Sequence, residues 1–231
     1  MLILVTGPAR SGKSEWAEAI ARQSTRSIVY IATAQVNLAD REWQARIAKH
    51  QQRRPADWQT QHVPIELAHA IAQSQSTECL LIDSLGTWLA NLIDQSEIDW
   101  QQSVSHLIAC LQQTPSDLIF VAEEVGWGVI PAYESGRRFR DRLGNLTRTI
   151  GAIADAVYLV TGGYAIDLTR VGGTIARYGR VARNYRFPSQ LACLNSLRSS
   201  TKVNFYPLKQ SAICRSMLQE SNIHLTNCKS M

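Results

Sequence analysis

Short apolar runs alternate with longer amphipathic runs over roughly the first 165 residues, the pattern of a chain that alternates strands with helices. The short runs are aliphatic or β-branched and nearly continuous in apolar character, which is typical of strands buried on both faces. They predict five strands, at residues 2–6, 27–32, 79–83, 117–122 and 156–161.

Helical periodicity marks the segments between these runs. Apolar residues recur on one helix face from Trp100 to Leu111 and again from Phe139 to Ile153. A third helix is predicted from Ser14 to about Gln23. Strands that alternate with helices in this way predict an α/β fold with a mostly parallel sheet flanked by helices.

Composition narrows the class of protein. The 231 residues are 45% hydrophobic and 19% charged, as in ordinary globular domains. No run of about 18 uncharged apolar residues is present, so no membrane span is expected. The first residues predict a strand and not a signal peptide. Five cysteines without CxxC spacing indicate neither a zinc site nor a disulfide framework, and a cytoplasmic location is expected.

The net charge of +5 is unevenly distributed. Residues 171–231 contain nine Lys and Arg and one acid, Glu220, for a net charge of +8, whereas the rest carries −3. We therefore divide the chain into a domain at residues 1–168 and a basic extension at 169–231, whose composition permits partial disorder. Nucleic acid is not an expected partner, because no aromatic platform or recognised nucleic-acid fold accompanies the basic residues.

A phosphate-binding loop follows the first predicted strand and opens the first predicted helix. Its sequence fits G-x-x-x-x-G-K-[ST] at every fixed position. Backbone N–H groups and the helix N-terminus would bind phosphate oxygens, Lys13 would reach the β- and γ-phosphates, and the Ser14 hydroxyl would ligate Mg²⁺. The nucleotide-binding residues predicted here are Gly7, Pro8, Ala9, Arg10, Ser11, Gly12, Lys13 and Ser14.

Asp83 ends the buried run Leu80-Leu81-Ile82. An acid at this position can hold the magnesium of a phosphate loop, directly or through water. The alternative is that Asp83 caps a helix beginning near Ser84. Beside a phosphate loop the magnesium role is favoured, so Ser14 and Asp83 are the predicted metal ligands, and Lys13 and Asp83 are predicted catalytic residues.

His50 lies among the cations Lys49, Arg53 and Arg54. Nearby positive charge lowers a histidine pKa and keeps the imidazole neutral, and a neutral imidazole can attack phosphorus to form a covalent intermediate. From the residues alone, a surface histidine at a helix end is the better interpretation. Arg53 and Arg54 can likewise bind phosphate or decorate a solvated face.

Several motifs together resemble one enzyme family, adenosylcobinamide kinase/adenosylcobinamide-phosphate guanylyltransferase. The resemblance extends over roughly residues 1–165 and depends on the order and spacing of the motifs. They are Gly7 to Ser14, Tyr30-Ile31-Ala32-Thr33-Ala34-Gln35, Arg46-Ile47-x-x-His50-x-x-x-Arg54-Pro55-x-x-Trp58-x-Thr60, Asp83-Ser84-Leu85-Gly86-Thr87-Trp88-Leu89-x-Asn91, Glu124-Val125-Gly126-x-Gly128-x-x-Pro131, Arg138-Phe139-Arg140-Asp141, and Ala154-Asp155-x-Val157.

The resemblance implies a P-loop NTPase-type, RecA-like fold and two reactions. The first is phosphorylation of adenosylcobinamide by ATP or GTP, and the second is transfer of GMP from GTP onto that phosphate. His50 occupies the position of the histidine that carries GMP in the family. Mg²⁺ is the implied cofactor, and the implied assembly is a homo-oligomer, specifically a trimer. Predicted nucleotide contacts outside the loop are Thr33, Ala34, Gln35, Arg53 and Arg54.

Three departures separate the chain from the family pattern. Glu123 stands where the family usually has Asn, His62 stands in place of an acid, and Thr147 stands in place of Asn in the long helix. These departures keep a kinase or nucleoside triphosphatase without guanylyl transfer open as an alternative. A nucleotide-gated binding protein whose basic extension engages nucleic acid is the least favoured interpretation.

Overall fold

The computed structural model describes residues 1–35 and 55–175. Seven strands and six helices are present among them. The strands are β1 (Leu2–Gly7), β2 (Ser27–Ala32), β3 (Gln59–His62), β4 (Glu78–Asp83), β5 (Asp117–Glu123), β6 (Ala156–Thr161) and β7 (Tyr164–Asp167). The helices are α1 (Lys13–Ala21), α2 (Leu67–Ala72), α3 (Leu85–Asn91), α4 (Glu97–Gln113), α5 (Glu134–Ile153) and α6 (Leu168–Val171).

The strands form one sheet in the order β3-β2-β4-β5-β1-β6-β7. All neighbouring pairs are parallel except β6 and β7, which are antiparallel. In a parallel sheet the carboxyl ends of the strands lie along one edge, where α/β proteins bind ligands. The phosphate loop after β1 and Asp83 at the end of β4 therefore lie at the same edge, separated by β5.

Helices cover both faces of the sheet and form two apolar clusters. On one face α1 packs through Ala17 and Ala21 against Ile3 and Val5 of β1. On the other face α2, α3, α4 and α5 pack over the remaining strand positions, with Phe120 of β5 fully buried at the centre. The alternation of β1 side chains between these faces is the period-2 geometry of a strand.

The predicted α/β class, the five strands and the three helices are confirmed, with ends that differ by a few residues. Two strands were not predicted, because β3 is polar and exposed along its whole length and β7 follows β6 after a turn of only two residues. Both lie at the edges of the sheet, where one strand face is not required to be apolar. The short helices α2 and α6 also lacked a recognisable period.

No helix within the described ranges is long and apolar enough to cross a membrane. The predicted basic extension at residues 169–231 lies outside the described residues beyond Ile175. Up to that point the chain continues directly from β7 into α6, which Asp167 caps by accepting a hydrogen bond from the Thr169 N–H at 3.0 Å. The division of the chain at residue 168 stays a prediction.

The central position of Phe120 predicts a large loss of stability on truncation. Phe120→Ala should lower the free energy of unfolding by about 3–5 kcal/mol, because a buried ring leaves a cavity in a core that relaxes only partly. Ile98→Ala is the matched control, since the Ile98 side chain on α4 is 70% exposed. Urea unfolding should show a change within about 0.5 kcal/mol for the control, and equal losses for the two variants would contradict this core assignment.

Candidate active site

The phosphate loop begins at Gly7, a position with no room for a side chain. A Cβ at Gly7 would lie 2.2 Å from the Val160 carbonyl oxygen of β6, so only glycine fits where β1 ends. Two further residues, Arg10 at φ 59° and Gly12 at φ 92°, adopt left-handed backbone conformations. These conformations curl the chain so that it meets the N-terminus of α1 at Lys13.

Two donors in the loop point to phosphate as its ligand. The Lys13 ammonium donates to the Pro8 carbonyl at 3.3 Å, a weak contact back onto the loop itself. The buried Ser11 hydroxyl has no hydrogen-bond partner among the described residues. A buried hydroxyl without a partner costs free energy, and a phosphate oxygen in the loop would satisfy it.

Asp83 faces the loop from the end of β4. Its carboxylate accepts a hydrogen bond from the Tyr30 hydroxyl at 2.8 Å and from the Ser14 hydroxyl at 3.4 Å. The Ser14 and Asp83 oxygens are the hard donors that Mg²⁺ prefers, and this ion usually takes its other ligands from water and substrate phosphates. The described residues contain no group of three or more His, Cys, Asp and Glu that could hold a metal. By the chemistry of its two oxygens, the Ser14–Asp83 pair fits a magnesium ion whose other ligands come from water and a nucleotide.

Ser84, and not Asp83, caps the helix that follows β4. The Ser84 side chain accepts a hydrogen bond from the Thr87 N–H, and the Thr87 hydroxyl accepts one from the Ser84 N–H, which together form a capping box. The alternative that Asp83 terminates the strand as a helix cap is therefore wrong. Asp83 keeps its carboxylate for the loop because its neighbour satisfies the helix.

Glu123, at the end of β5, is partly buried beside the N-terminus of α3. Its Oε1 accepts a hydrogen bond from the Ser84 hydroxyl at 2.5 Å and its Oε2 accepts one from the Gly86 N–H at 3.0 Å. A Cβ at Gly86 would lie 2.1 Å from Oε2, so the glycine makes room for the carboxylate. Burial raises the pKa of Glu123, the Ser84 hydrogen bond and the Lys13 charge lower it, and the Asp83 charge raises it further.

Thr33 joins the end of β2 to the same group. Its hydroxyl donates to the Ser84 carbonyl at 2.7 Å and accepts from the Ser84 N–H at 2.9 Å. The Asn91 amide donates to the carbonyls of Thr33 and Pro64, both at 2.8 Å. The ends of β2, β4 and β5 are thus fixed to the first turn of α3 by side-chain hydrogen bonds.

Most of the described residues match a known protein family. The family model described as cobinamide kinase / cobinamide phosphate guanyltransferase matches residues 3–168. The chain belongs to the cobinamide kinase / cobinamide phosphate guanyltransferase family.

Curated relatives agree with this membership. The bifunctional adenosylcobalamin biosynthesis protein CobP of Pseudomonas aeruginosa is 38% identical over 169 residues, which cover 71% of this chain and 95% of that protein. The bifunctional adenosylcobalamin biosynthesis protein CobU of Escherichia coli K12 is 37% identical over 186 residues, which cover 73% and 99%. Among solved structures, PH0250 of Pyrococcus horikoshii OT3 has 9% identity and a TM-score of 0.48 over 75% of this chain and 90% of that one.

The family motif from Asp83 to Asn91 now has a physical explanation at most of its positions. Thr87 completes the capping box, Gly86 makes room for Glu123, and the Trp88 indole N–H donates to the Ile65 carbonyl at 2.8 Å. The next motif begins at Glu124, which accepts from the Thr6 hydroxyl at 2.9 Å and donates its N–H to the Gly7 carbonyl at 2.9 Å. Both motifs therefore support the phosphate loop.

Predicted site residues fall into three groups. The loop residues, Lys13, Ser14 and Asp83 come together at the sheet edge, as described above. Thr33 is fully buried and acts through Ser84, whereas Ala34 is partly exposed and Gln35 is exposed beyond it. His50, Arg53 and Arg54 lie outside the described residues, so their roles stay predictions.

Sequence reasoning did not assign Tyr30 or Glu123 to the site. Tyr30 belongs to a predicted strand and to the motif that continues to Gln35, but neither assigned it a role; its hydroxyl meets Asp83 because β2 and β4 are neighbours in register. The signal for Glu123 was its departure from the family residue Asn. Its position beside Gly7 in the pairing of β1 with β5 explains why that departure concerns the site.

The raised pKa of Glu123 predicts how stability changes with pH. A carboxyl that holds its proton more tightly in the folded state stabilises the fold below its unfolded-state pKa, and this contribution is lost as the pH rises through the folded-state pKa. The free energy of unfolding of the native chain should therefore fall over that pH range relative to Glu123→Gln, which cannot titrate. Urea unfolding from about pH 4 to pH 8 measures the difference, and parallel curves for the two proteins would refute it.

Proposed function

We propose that this chain phosphorylates adenosylcobinamide with ATP or GTP and then transfers GMP from GTP to give adenosylcobinamide-GDP. The observation that carries the proposal is the phosphate loop, whose Ser11 hydroxyl is unsatisfied, in the segment that matches the family. Beside it, the Ser14 hydroxyl lies 3.4 Å from the Asp83 carboxylate. Loop and carboxylate supply the phosphate and metal chemistry, and the family supplies the acceptor.

In the first reaction the acceptor hydroxyl oxygen attacks the γ-phosphorus of the nucleotide. The bond from that phosphorus to the bridging oxygen breaks, the nucleoside diphosphate leaves, and the hydroxyl proton passes to solvent. Loop N–H groups and the Lys13 ammonium bind the β- and γ-phosphate oxygens. They stabilise the negative charge that develops on the departing diphosphate. Ser14 and Asp83 would hold Mg²⁺, which supplies charge neutralisation at the phosphates.

In the second reaction the His50 imidazole attacks the α-phosphorus of GTP. A nitrogen–phosphorus bond forms, the bond to the β-phosphate breaks, and pyrophosphate leaves. A phosphate oxygen of adenosylcobinamide phosphate then attacks the same phosphorus, the nitrogen–phosphorus bond breaks, and neutral imidazole is regenerated. Arg53 and Arg54 follow His50 closely in the chain and would bind phosphate oxygens during transfer.

A kinase without guanylyl transfer is the second candidate. Two of the departures favour it, because Glu123 brings a carboxylate to the strand end beside Gly7 and His62 ends β3 as an exposed side chain. The presence or absence of a covalent guanylyl intermediate separates the two candidates.

Incubation of the full chain with Mg²⁺ and GTP labelled in the α-phosphate tests the proposal. The protein should retain label through denaturing electrophoresis, and the bond should survive base and break in acid, as expected for phosphorus bonded to histidine. His50→Ala should abolish labelling, as should removal of the metal by EDTA. His106→Ala is the control, since His106 is an exposed histidine on α4, and it should label normally.

Each alternative outcome has a distinct meaning. Label retained by His50→Ala would contradict the nucleophile assignment. γ-Phosphoryl transfer to adenosylcobinamide without any labelled protein would establish the kinase-only candidate. Neither reaction with any nucleotide would reject the function as proposed.

We also propose that the chain assembles as a homo-oligomer, a trimer by its resemblance to the family. The loop between β5 and α5 supports this, because it exposes large apolar side chains in a short stretch: Trp127 at 61%, Val129 at 95%, Ile130 at 66% and Tyr133 at 81%. Contiguous exposed apolar surface of this kind is typical of protein–protein contacts.

If this loop forms the oligomer interface, a charged residue in the loop should dissociate the assembly. Val129→Asp should shift the sedimentation coefficient of the native assembly towards that of the monomer, because an aspartate buried in an apolar interface is not hydrated. Ile98→Asp, on the exposed face of α4, should leave the sedimentation coefficient unchanged. A monomeric native chain, or an assembly that tolerates Val129→Asp, would contradict this role for the loop.

A further inference from the structure

A cavity of about 1010 Å³ lies along the long helix α5. Its walls are α5, the sheet positions Leu4, Thr6 and Val157, and the segment at residues 168–175. Leu4 belongs to the apolar cluster that also contains the buried face of α5, whereas α1 packs on the other face of the sheet. The cavity therefore lies on the opposite side of the sheet from the helix that opens the phosphate loop.

We propose that this cavity binds the acceptor of the transfer reactions, a large amphipathic ligand rich in amide groups. The inference rests on the proposed function, which requires a site for a corrinoid beside the nucleotide. Its volume is at the upper end of small-molecule sites, which are usually about 300–1,000 Å³. A molecule of corrinoid size needs a cavity of this order.

One end of the cavity adjoins the phosphate loop. Thr6, Glu123 and Glu124 line that end. Thr6 donates its hydroxyl to Glu124, and the Glu124 N–H donates to the carbonyl of Gly7, the first residue of the loop. A ligand in the cavity would thus have one end next to the phosphates, where an acceptor hydroxyl must lie for transfer.

The charges of the lining disfavour a second nucleotide. Three carboxylates line the cavity, from Glu123, Glu124 and Asp155, against the two guanidinium groups of Arg140 and Arg148. Arg140 is itself paired with Asp141 at 3.0 Å. The remaining lining is glycine, alanine, threonine and aliphatic side chains, which suits a ligand with apolar surface and neutral polar groups.

Helix α5 leaves this space open through its glycines. Gly144 and Gly151 are seven residues apart, about two turns, and so share one face of the helix. A Cβ at Gly144 would meet nothing within 4 Å. Glycine inside a helix costs roughly 1 kcal/mol relative to alanine. No steric requirement of the described residues explains Gly144, whereas a ligand lying against the helix does.

Thr147 supplies a polar group that awaits a partner. It lies between the two glycines and lines the cavity. Its hydroxyl is buried and has no hydrogen-bond partner among the described residues. The amide groups of a corrinoid would satisfy it, and because the family usually has Asn at this position, Thr147 is also the residue most suited to adapt the site to this chain's own acceptor.

Filling the cavity tests the assignment. Gly144→Phe and Gly144→Ala of the full chain should be compared with Asn145→Phe, an exposed neighbour on α5 that does not line the cavity. Equilibrium dialysis with adenosylcobinamide, followed by its visible absorbance, measures binding directly. We expect Gly144→Phe to weaken binding at least about tenfold, Gly144→Ala to weaken it less and Asn145→Phe to leave it unchanged. Labelling by α-labelled GTP should be the same in all three.

Thr147→Val provides a second arm that does not depend on filling space. The affinity for adenosylcobinamide should fall by about fivefold, the effect of one lost neutral hydrogen bond. The unfolding midpoint of the protein without ligand should stay the same or rise, because an unsatisfied buried hydroxyl is removed. A merely structural role for Thr147 would instead lower the midpoint and leave the affinity unchanged.

The outcomes distinguish this inference from the function on which it rests. Native affinity for adenosylcobinamide in both Gly144→Phe and Thr147→Val would overturn the cavity as the acceptor site and leave the proposed function intact. A native chain that takes label from GTP and binds no adenosylcobinamide would overturn the acceptor, and the cavity assignment with it.

Discussion

The parallel alignment of β1, β5 and β4 is the constraint on which the site depends. Because the three strands run in one direction, the phosphate loop, Glu123 and Asp83 emerge at the same edge of the sheet. Apart from Thr6 of β1, the interiors of these strands are apolar, so they are buried by the hydrophobic effect and the polar chemistry of the site begins near the strand ends. The packing of the core thus determines where the polar residues of the site meet.

Glu123 shows how a departure from a family pattern can be absorbed. A carboxylate that is partly withdrawn from water is unfavourable unless it is hydrogen-bonded, and here the Ser84 hydroxyl and the Gly86 N–H each donate one hydrogen bond. The N-terminus of α3 adds favourable partial charge. Glu123 therefore connects β5 to α3 and also places an ionisable group near Lys13, so structural support and the electrostatics of the loop both depend on one side chain.

The sequence predicted those parts of the fold whose signal is local. Buried strands and the long helices were visible because each satisfies its own periodicity, and the phosphate loop was visible because its chemistry needs fixed spacing. The polar strand β3 and the capping role of Ser84 depend on neighbours distant in the chain: β3 exists because it pairs with β2, and Ser84 is free to cap because Thr33 holds its backbone. The cavity along α5 could not be predicted for the same reason. Its walls include strand residues distant in the chain, and the two helix glycines alone do not show which strand lies opposite them.

The division of labour between Asp83 and Ser84 has an evolutionary consequence. On the proposed function, Asp83 is retained only while metal-dependent chemistry is useful, whereas Ser84 is retained for as long as α3 must begin there. A lineage released from the biosynthetic pathway would lose the aspartate early and keep the serine. Descendants with Ser84 but without Asp83 would be folded pseudoenzymes, and such chains would date the loss of catalysis separately from any loss of structure.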